Sequence, residues 1–174
     1  MILLLEGFLD WVFRWAEVVG LPVLFMIFVT KGLLIGKIFP TSLFLPGYVI
    51  ATSASLHMAA IIALVTALAY ILGQGVIYWG CREYGPSFVE TLPYASIETD
   101  SEQFEQFEQW FWRYGGVSIF ATNFVPWIRG LLTIPAGASA YPVGRYAFYT
   151  TSSTTLYHLL YVALGLGVLE VLGW

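Results

Sequence analysis

Apolar positions run almost unbroken through residues 38–81, where no Asp, Glu, Lys or Arg intervenes and only His57 can titrate. As one helix this stretch would be roughly twice the ~30 Å hydrocarbon thickness of a bilayer, so it must turn back on itself. Residues 146–169 form a second run without formal charge apart from His158, long enough to span once with some tilt. A shorter apolar run over 18–29 continues past Thr30 and Lys31 to Gly36 and predicts a first membrane helix over 18–36. Before it, Trp11, Phe13 and Trp15 around Arg14 predict a short interfacial helix over 5–16. Glu6, Asp10 and Glu17, with no basic lead-in, read against a cleaved signal peptide.

The long run is not uniform. Pro40 and Pro46-Gly47 lie among Phe39, Phe44 and Leu45, and a continuous helix through 38–56 would lose backbone hydrogen bonds there. In lipid such groups need other protein or a water-filled cavity, which a buried re-entrant helical hairpin supplies. Strong helix formers over 57–81, among them Ala59, Leu64 and Leu68, predict a spanning helix. Gly73 and Gly75 would let a neighbour approach it closely. The second half repeats the order: Gly115-Gly116 opens an apolar stretch broken by Pro126, Gly130, Pro135 and Gly137, and a spanning helix follows over 143–171. Paired broken segments in matching positions of two halves are the usual pointer to a transporter's midplane site.

Polar character is concentrated in the connector. Between Arg82 and Arg113 there is no basic residue, while Glu83, Glu90, Glu98, Asp100, Glu102, Glu105 and Glu108 are acidic. Thr99 and Glu102 have capping-box spacing. Phe104, Phe107, Phe111 and Tyr114 share one helical face, which predicts an amphipathic helix with its acids toward water, either lying on the membrane or serving as a solvated connector between two membrane halves.

Composition agrees with a membrane solvent. Of 174 residues 59% are hydrophobic and only 10% charged, and the mean hydropathy is +0.78. A soluble domain carries roughly 25% charged residues. One membrane domain, 1–174, is expected, with sections 1–36, 37–82, 83–114 and 115–174. The net charge of −4 excludes a nucleic-acid partner. The lone Cys81 excludes an internal disulfide and a Cys-based metal cluster. The basic residues do not gather in one loop, so orientation stays open.

Arg129 is the most informative residue, because residues 109–169 contain no acid. A guanidinium near bilayer depth costs at least ~2.5–3.5 kcal/mol on insertion scales. It either reaches the headgroups or caps helix carbonyls, or else it belongs to a site where its fork meets a phosphate. Pro126 and Gly130 place it in irregular backbone whose freed N–H groups would also bind an anion. His57 and His158 read as hydrogen-bonded packing residues. Ser139 followed by His158 is a faint serine–histidine pattern without the glycine an intramembrane protease would show. No phosphate loop or metal-ligand spacing appears, so no catalytic residue, metal or cofactor is expected.

These motifs resemble the DedA family, also called SNARE-associated or VTT-domain proteins, from about residue 39 to 167. Phe44-Leu45-Pro46-Gly47 is similar to the family's Phe-Leu-Pro-Gly-acid motif. Gly73, Tyr78, Gly80, Arg82 and Gly85 follow its second pattern. Phe124-x-Pro126-x-x-Arg129 with Ala136-Gly137 is similar to its second-hairpin motif, and Phe148, Tyr157 and Gly165 fall where it has Phe, Trp and Gly. The resemblance implies an all-α polytopic membrane protein. It would have two inverted repeats, each a re-entrant hairpin plus a spanning helix, joined by the amphipathic linker. It also implies movement of polyprenyl phosphate or phospholipid between leaflets of the cell membrane, with Arg129 on the phosphate. Four positions depart from the pattern: Tyr48 stands for an acid, Gln74 for Asp, Asn123 for a first arginine, and Gly36 or Lys37 for an upstream acid. Coupling through paired acids is therefore not expected.

The expected binding residues are Arg129, Asn123, Pro126, Pro46, Gly47, Tyr48, Tyr78 and Gly137. The expected partners are membrane lipids, with an anionic polyprenyl phosphate as substrate, and a homo-oligomer is compatible with the chain. The alternatives are a non-selective phospholipid scramblase and a structural or adaptor membrane protein without transport.

Overall fold

The computed structural model describes residues 20–35, 41–92, 102–126 and 128–173. The expected interfacial helix over 5–16, Gly36 and Lys37, and the proposed cap at Thr99 lie outside them. Every regular element among the described residues is helical: α1 (Gly20–Gly32), then α2 (Thr41–Ala51), α3 (Leu56–Tyr84), a 3-10 turn (Pro86–Thr91), α4 (Glu102–Tyr114), α5 (Gly116–Thr122), α6 (Thr133–Ala138) and α7 (Val143–Leu172).

The ends of α3 follow from its sequence. Ser55 caps the start by accepting from the Met58 N–H, and Gly85 ends the helix at φ 82° with its N–H on Cys81 O. At 29 residues it exceeds the span a bilayer needs, and among the described residues α3 is the one helix both long and apolar enough to cross. The 30-residue α7 matches it in length, but residues 150–155 are all Ser or Thr.

The two long helices run antiparallel, with Thr66 opposite His158 and Tyr78 stacked on Tyr146. Their facing sides are polar. Thr66, Tyr70, Gln74 and Tyr78 are buried at four-residue steps on α3; Tyr146, Thr150, Thr154, Tyr157 and His158 answer them on α7. The outward row of α3, including Leu64, Leu68, Leu72, Val76 and Trp79, is exposed. Polar inside and apolar outside is the arrangement that lipid demands.

The halves share an order of helix, short helix, tight turn and long helix among the described residues. The short helices pack crosswise. Gly165 of α7 meets Pro46 and Val49 of α2, and Gly137 of α6 sits on the Tyr78 carbonyl of α3. Within the first half, Gly32 and Gly73 bring α1 and α3 to backbone contact, while Gly75 faces open space. The same turn closes both short helices. Ser53 and Ala140 are left-handed, each three residues before a long helix. The bonds Ala54 N–H to Val49 O and Tyr141 N–H to Ala136 O complete equivalent Schellman motifs.

Two expectations change. Pro46 does not break its helix; it lies inside α2, where its missing N–H leaves one carbonyl near the helix start without a partner on the chain's own ladder. The linker's aromatic face meets protein rather than lipid. Phe104 and Phe111 are buried against residues including Val89, Ile134, Tyr78 and Ile119, with Phe107 packed alongside. Tyr114 is exposed, and Trp110 and Trp112 accompany it on the outside.

Candidate functional site

Arg129 enters the polar seam from the link between α5 and α6. Asn123 shapes that link. Its Oδ1 accepts from the Gly130 N–H at 3.3 Å, and its Nδ2 donates to Ser153 Oγ at 2.7 Å. Gly130 is left-handed at φ +80°, and a Cβ there would meet Gln74 Nε2 at 2.6 Å. Only glycine fits both the conformation and the space. The N–H groups of Gly130, Leu131, Thr133 and Ile134 are bonded within the link, so the anion-binding backbone expected there is largely committed to holding the link's shape.

The guanidinium is buried between two aromatic faces. Its carbon lies 4.1 Å from the Tyr70 ring centre and 4.0 Å from that of Tyr157, a desolvated pair of cation–π contacts. Nη2 is 3.2 Å from His158 Nε2, and His158 Nδ1 is 2.9 Å from Thr66 Oγ1. Thr66 Oγ1 donates to Ile62 O at 2.7 Å, so it accepts from Nδ1–H, and Nε2 accepts from the arginine. The pattern of donors thus assigns a neutral imidazole. Arg129 Nε and Nη1, the Tyr157 hydroxyl, and the hydroxyls of Thr150 and Thr154 are buried without a partner in hydrogen-bonding geometry.

No carboxylate balances this charge among the described residues. α1, α2, α3 as far as Cys81, and the chain from Gln109 to the last turn of α7 contain no acid. Lys31 of α1 brings a second basic side chain within electrostatic reach of Arg129 and His158. One turn along the seam, Gln74 donates to Gly32 O at 2.6 Å and accepts from Thr133, whose hydroxyl is 3.0 Å from that of Tyr146. That neutral cluster ties α1, α3, α6 and α7 together.

Of the residues expected at the site, Arg129 and Asn123 are brought together. Tyr78 lies two turns from Tyr70, roughly 12 Å along the axis. Its hydroxyl donates to Tyr141 O and accepts from Arg82 at 2.8 Å. Gly137 packs beside Tyr78 and Cys81, and Pro126 is exposed. Pro46 contacts Gly165, Gly47 faces open space, and Tyr48 flanks the apolar cluster that contains Tyr70 and Phe28. Sequence reasoning passed over Tyr70 and Tyr157 as ring faces for Arg129, and it gave His158 a packing role without connecting it to the arginine. The four-residue polar steps on both helices were the available signal. Ser139 bonds Ala136 O while both ring nitrogens of His158 face elsewhere, so these two residues form no nucleophile–base pair.

The sequence profile of the VTT domain matches residues 26–167. The chain is similar to undecaprenyl phosphate transporter A of Bacillus subtilis (strain 168), 30% identical over 138 residues that cover 78% of this chain and 67% of that one. It is 25% identical over 130 residues to undecaprenyl phosphate transporter A of Staphylococcus aureus (strain NCTC 8325 / PS 47), covering 69% of this chain and 64% of that one. An alkaline phosphatase-like protein of Lactococcus lactis subsp. cremoris (strain MG1363) is 27% identical over 99 residues, 55% of this chain and 46% of that one. The chain thus spans from about half to two thirds of the length of these relatives. No solved structure matches it significantly.

Proposed function

We propose, for a chain that belongs to the VTT-domain (DedA) family of membrane proteins, that it moves a polyprenyl-phosphate carrier lipid, or a related anionic phospholipid, between leaflets of the cell membrane. One observation carries the reading: Arg129 is buried among neutral groups midway along the two long helices, with Nε and Nη1 unpartnered. A phosphate entering the membrane loses its hydration and needs a charged donor to replace it. The Nε–H and Nη1–H groups lie on different edges of the guanidinium plane, and a phosphate oxygen at either edge gains a charge-assisted hydrogen bond. Tyr70 and Tyr157 hold that plane by its faces and His158 holds one end, so little ordering is left to be done on binding. Asn123 acts by fixing the link that carries Arg129. The names of the Bacillus and Staphylococcus relatives support this lipid class.

In the same reading the two halves are inverted repeats that cross the membrane several times. The α1–α2 and α5–α6 segments are hairpins that enter without crossing, and their movement against the long helices switches access between leaflets. The equivalent turns at Ser53 and Ala140 and the crosswise packing of α2 and α6 support it. The polar seam itself holds no carboxylate among the described residues, since α1, α2, α3 as far as Cys81 and residues 109–169 contain none, and this favours passive movement over proton-driven pumping.

The test is reconstitution with fluorescent polyprenyl phosphate and fluorescent phosphatidylcholine, read by dithionite quenching of the outer leaflet. Movement of the first alone, unaltered by an imposed pH gradient, is expected. Equal movement of both would make the protein a non-selective scramblase; movement of neither would remove the transport reading.

A further inference from the structure

A groove of about 810 Å³ runs along the C-terminal half of α7, within the ~300–1,000 Å³ of ordinary ligand sites. Tyr157 and Phe124 form one end, and Leu164, Gly167, Val168 and Val171 continue it. From Tyr157 to Val171 it covers roughly 21 Å of helix. Tyr157 belongs to both places. Its ring covers the Arg129 guanidinium at 4.0 Å, it lines the groove, and its buried hydroxyl has no partner in hydrogen-bonding geometry. The floor is low because Gly167 carries no side chain and nothing lies within 4 Å of where a Cβ would be.

We infer that this groove seats the hydrocarbon chain of the lipid whose phosphate Arg129 holds, with Tyr157 standing at the junction of head and tail. The inference rests on the headgroup reading of Arg129. Continuity carries it: the apolar groove begins at Tyr157, one of the two rings that face the buried guanidinium whose Nε and Nη1 have no partner. A tail leaving the phosphate there passes from Tyr157 along Leu164 and Val168, toward the membrane face at the end of α7.

Two probes separate the inference from its premise. One is a long polyprenyl phosphate with a diazirine within its chain; the other is geranyl phosphate, which keeps the head but is too short to fill the groove. Both are offered to the full chain in detergent and to the Gly167→Trp variant, with Gly144→Trp as a control at an open glycine outside the groove. The expected result has the diazirine label on Leu164, Gly167 or Val168. Gly167→Trp weakens the long probe about tenfold, the loss when a couple of methylenes lose an apolar seat, and leaves geranyl phosphate unchanged. Label elsewhere, with long-probe affinity insensitive to Gly167→Trp, overturns the groove and spares the headgroup site. Binding of neither probe to the unaltered chain overturns both. Labelling displaced equally by phosphatidylcholine, or a crosslink between two copies through the groove, assigns it to bulk lipid or to a second chain and rejects the inference.

Discussion

Arg129 is surrounded by groups that tolerate its charge without cancelling it. Burying the guanidinium costs at least ~2.5–3.5 kcal/mol on membrane-insertion scales, and two desolvated ring faces return up to about 2 kcal/mol each. These terms nearly cancel, so Arg129→Met is expected to change stability by less than about 1 kcal/mol, because an apolar side chain of similar length replaces an unbalanced buried ion. Thermal unfolding in detergent checks this; a fall of several kcal/mol would mean the arginine is a structural keystone. Gln74→Leu should behave oppositely. It strands Gly32 O and the Thr133 hydroxyl and is expected to cost about 1–3 kcal/mol. The importance of Arg129 was legible in the sequence because a charge in a run of more than fifty acid-free residues is costly wherever it sits. Its clamp was not. Tyr70 and Tyr157 lie far apart in the chain, and with 11 tyrosines present no local rule selects those two before the antiparallel register of α3 and α7 is known.

At the level of elements, charge-free length identified both long helices, and the structure moves their predicted ends by only a few residues. The caps at Ser55 and Gly85 explain why the ends of α3 are sharp. Pro46 reads as a breaker because proline usually is one, yet at the middle of the 11-residue α2 it removes a single bond of the ladder and the helix continues through it. The face of α4 was also legible as a period, but periodicity reveals that a face is apolar, not whether lipid or protein covers it. The turn residues offer a direct check. Ser53 and Ala140 adopt the left-handed conformation that costs an L-residue roughly 1–2 kcal/mol. Ala140→Gly should therefore stabilise by up to about 1 kcal/mol in the same unfolding assay. Gly73→Ala should destabilise, since its Cβ would meet the backbone of Val29 and Gly32, while Gly75→Ala, facing open space, should gain up to about 1 kcal/mol in helix propensity. Equal effects at both glycines would contradict the α1–α3 crossing.

Across the whole molecule the polar seam divides two unlike ends. Arg82 ends α3, Arg145 begins α7 and Arg113 ends α4, so these basic residues share one end with the exposed Trp79, Trp110 and Trp112. This grouping was invisible along the chain, where the same arginines look scattered; antiparallel packing gathers them. The same end also carries Glu83, Glu90, Glu102, Glu105 and Glu108, but the positive-inside rule counts Lys and Arg rather than net charge, so it predicts that this end faces the cytoplasm. Ser87→Cys should then react with a membrane-impermeant maleimide only in inside-out vesicles, and His57→Cys only in right-side-out ones, with the buried Cys81 silent in both. The reverse labelling would invert the topology and with it the leaflet onto which the α7 groove opens.

The central claim is that one unbalanced arginine in the seam receives the lipid phosphate. Proteoliposomes carrying fluorescent polyprenyl phosphate, with matched amounts of the unaltered chain and of Arg129→Gln at equal thermal stability, test it most directly. The account predicts that Arg129→Gln reduces leaflet exchange to that of protein-free vesicles and that Arg129→Lys, a point charge without the fork, keeps a small part of it. Exchange by Arg129→Gln at the unaltered rate would contradict the account.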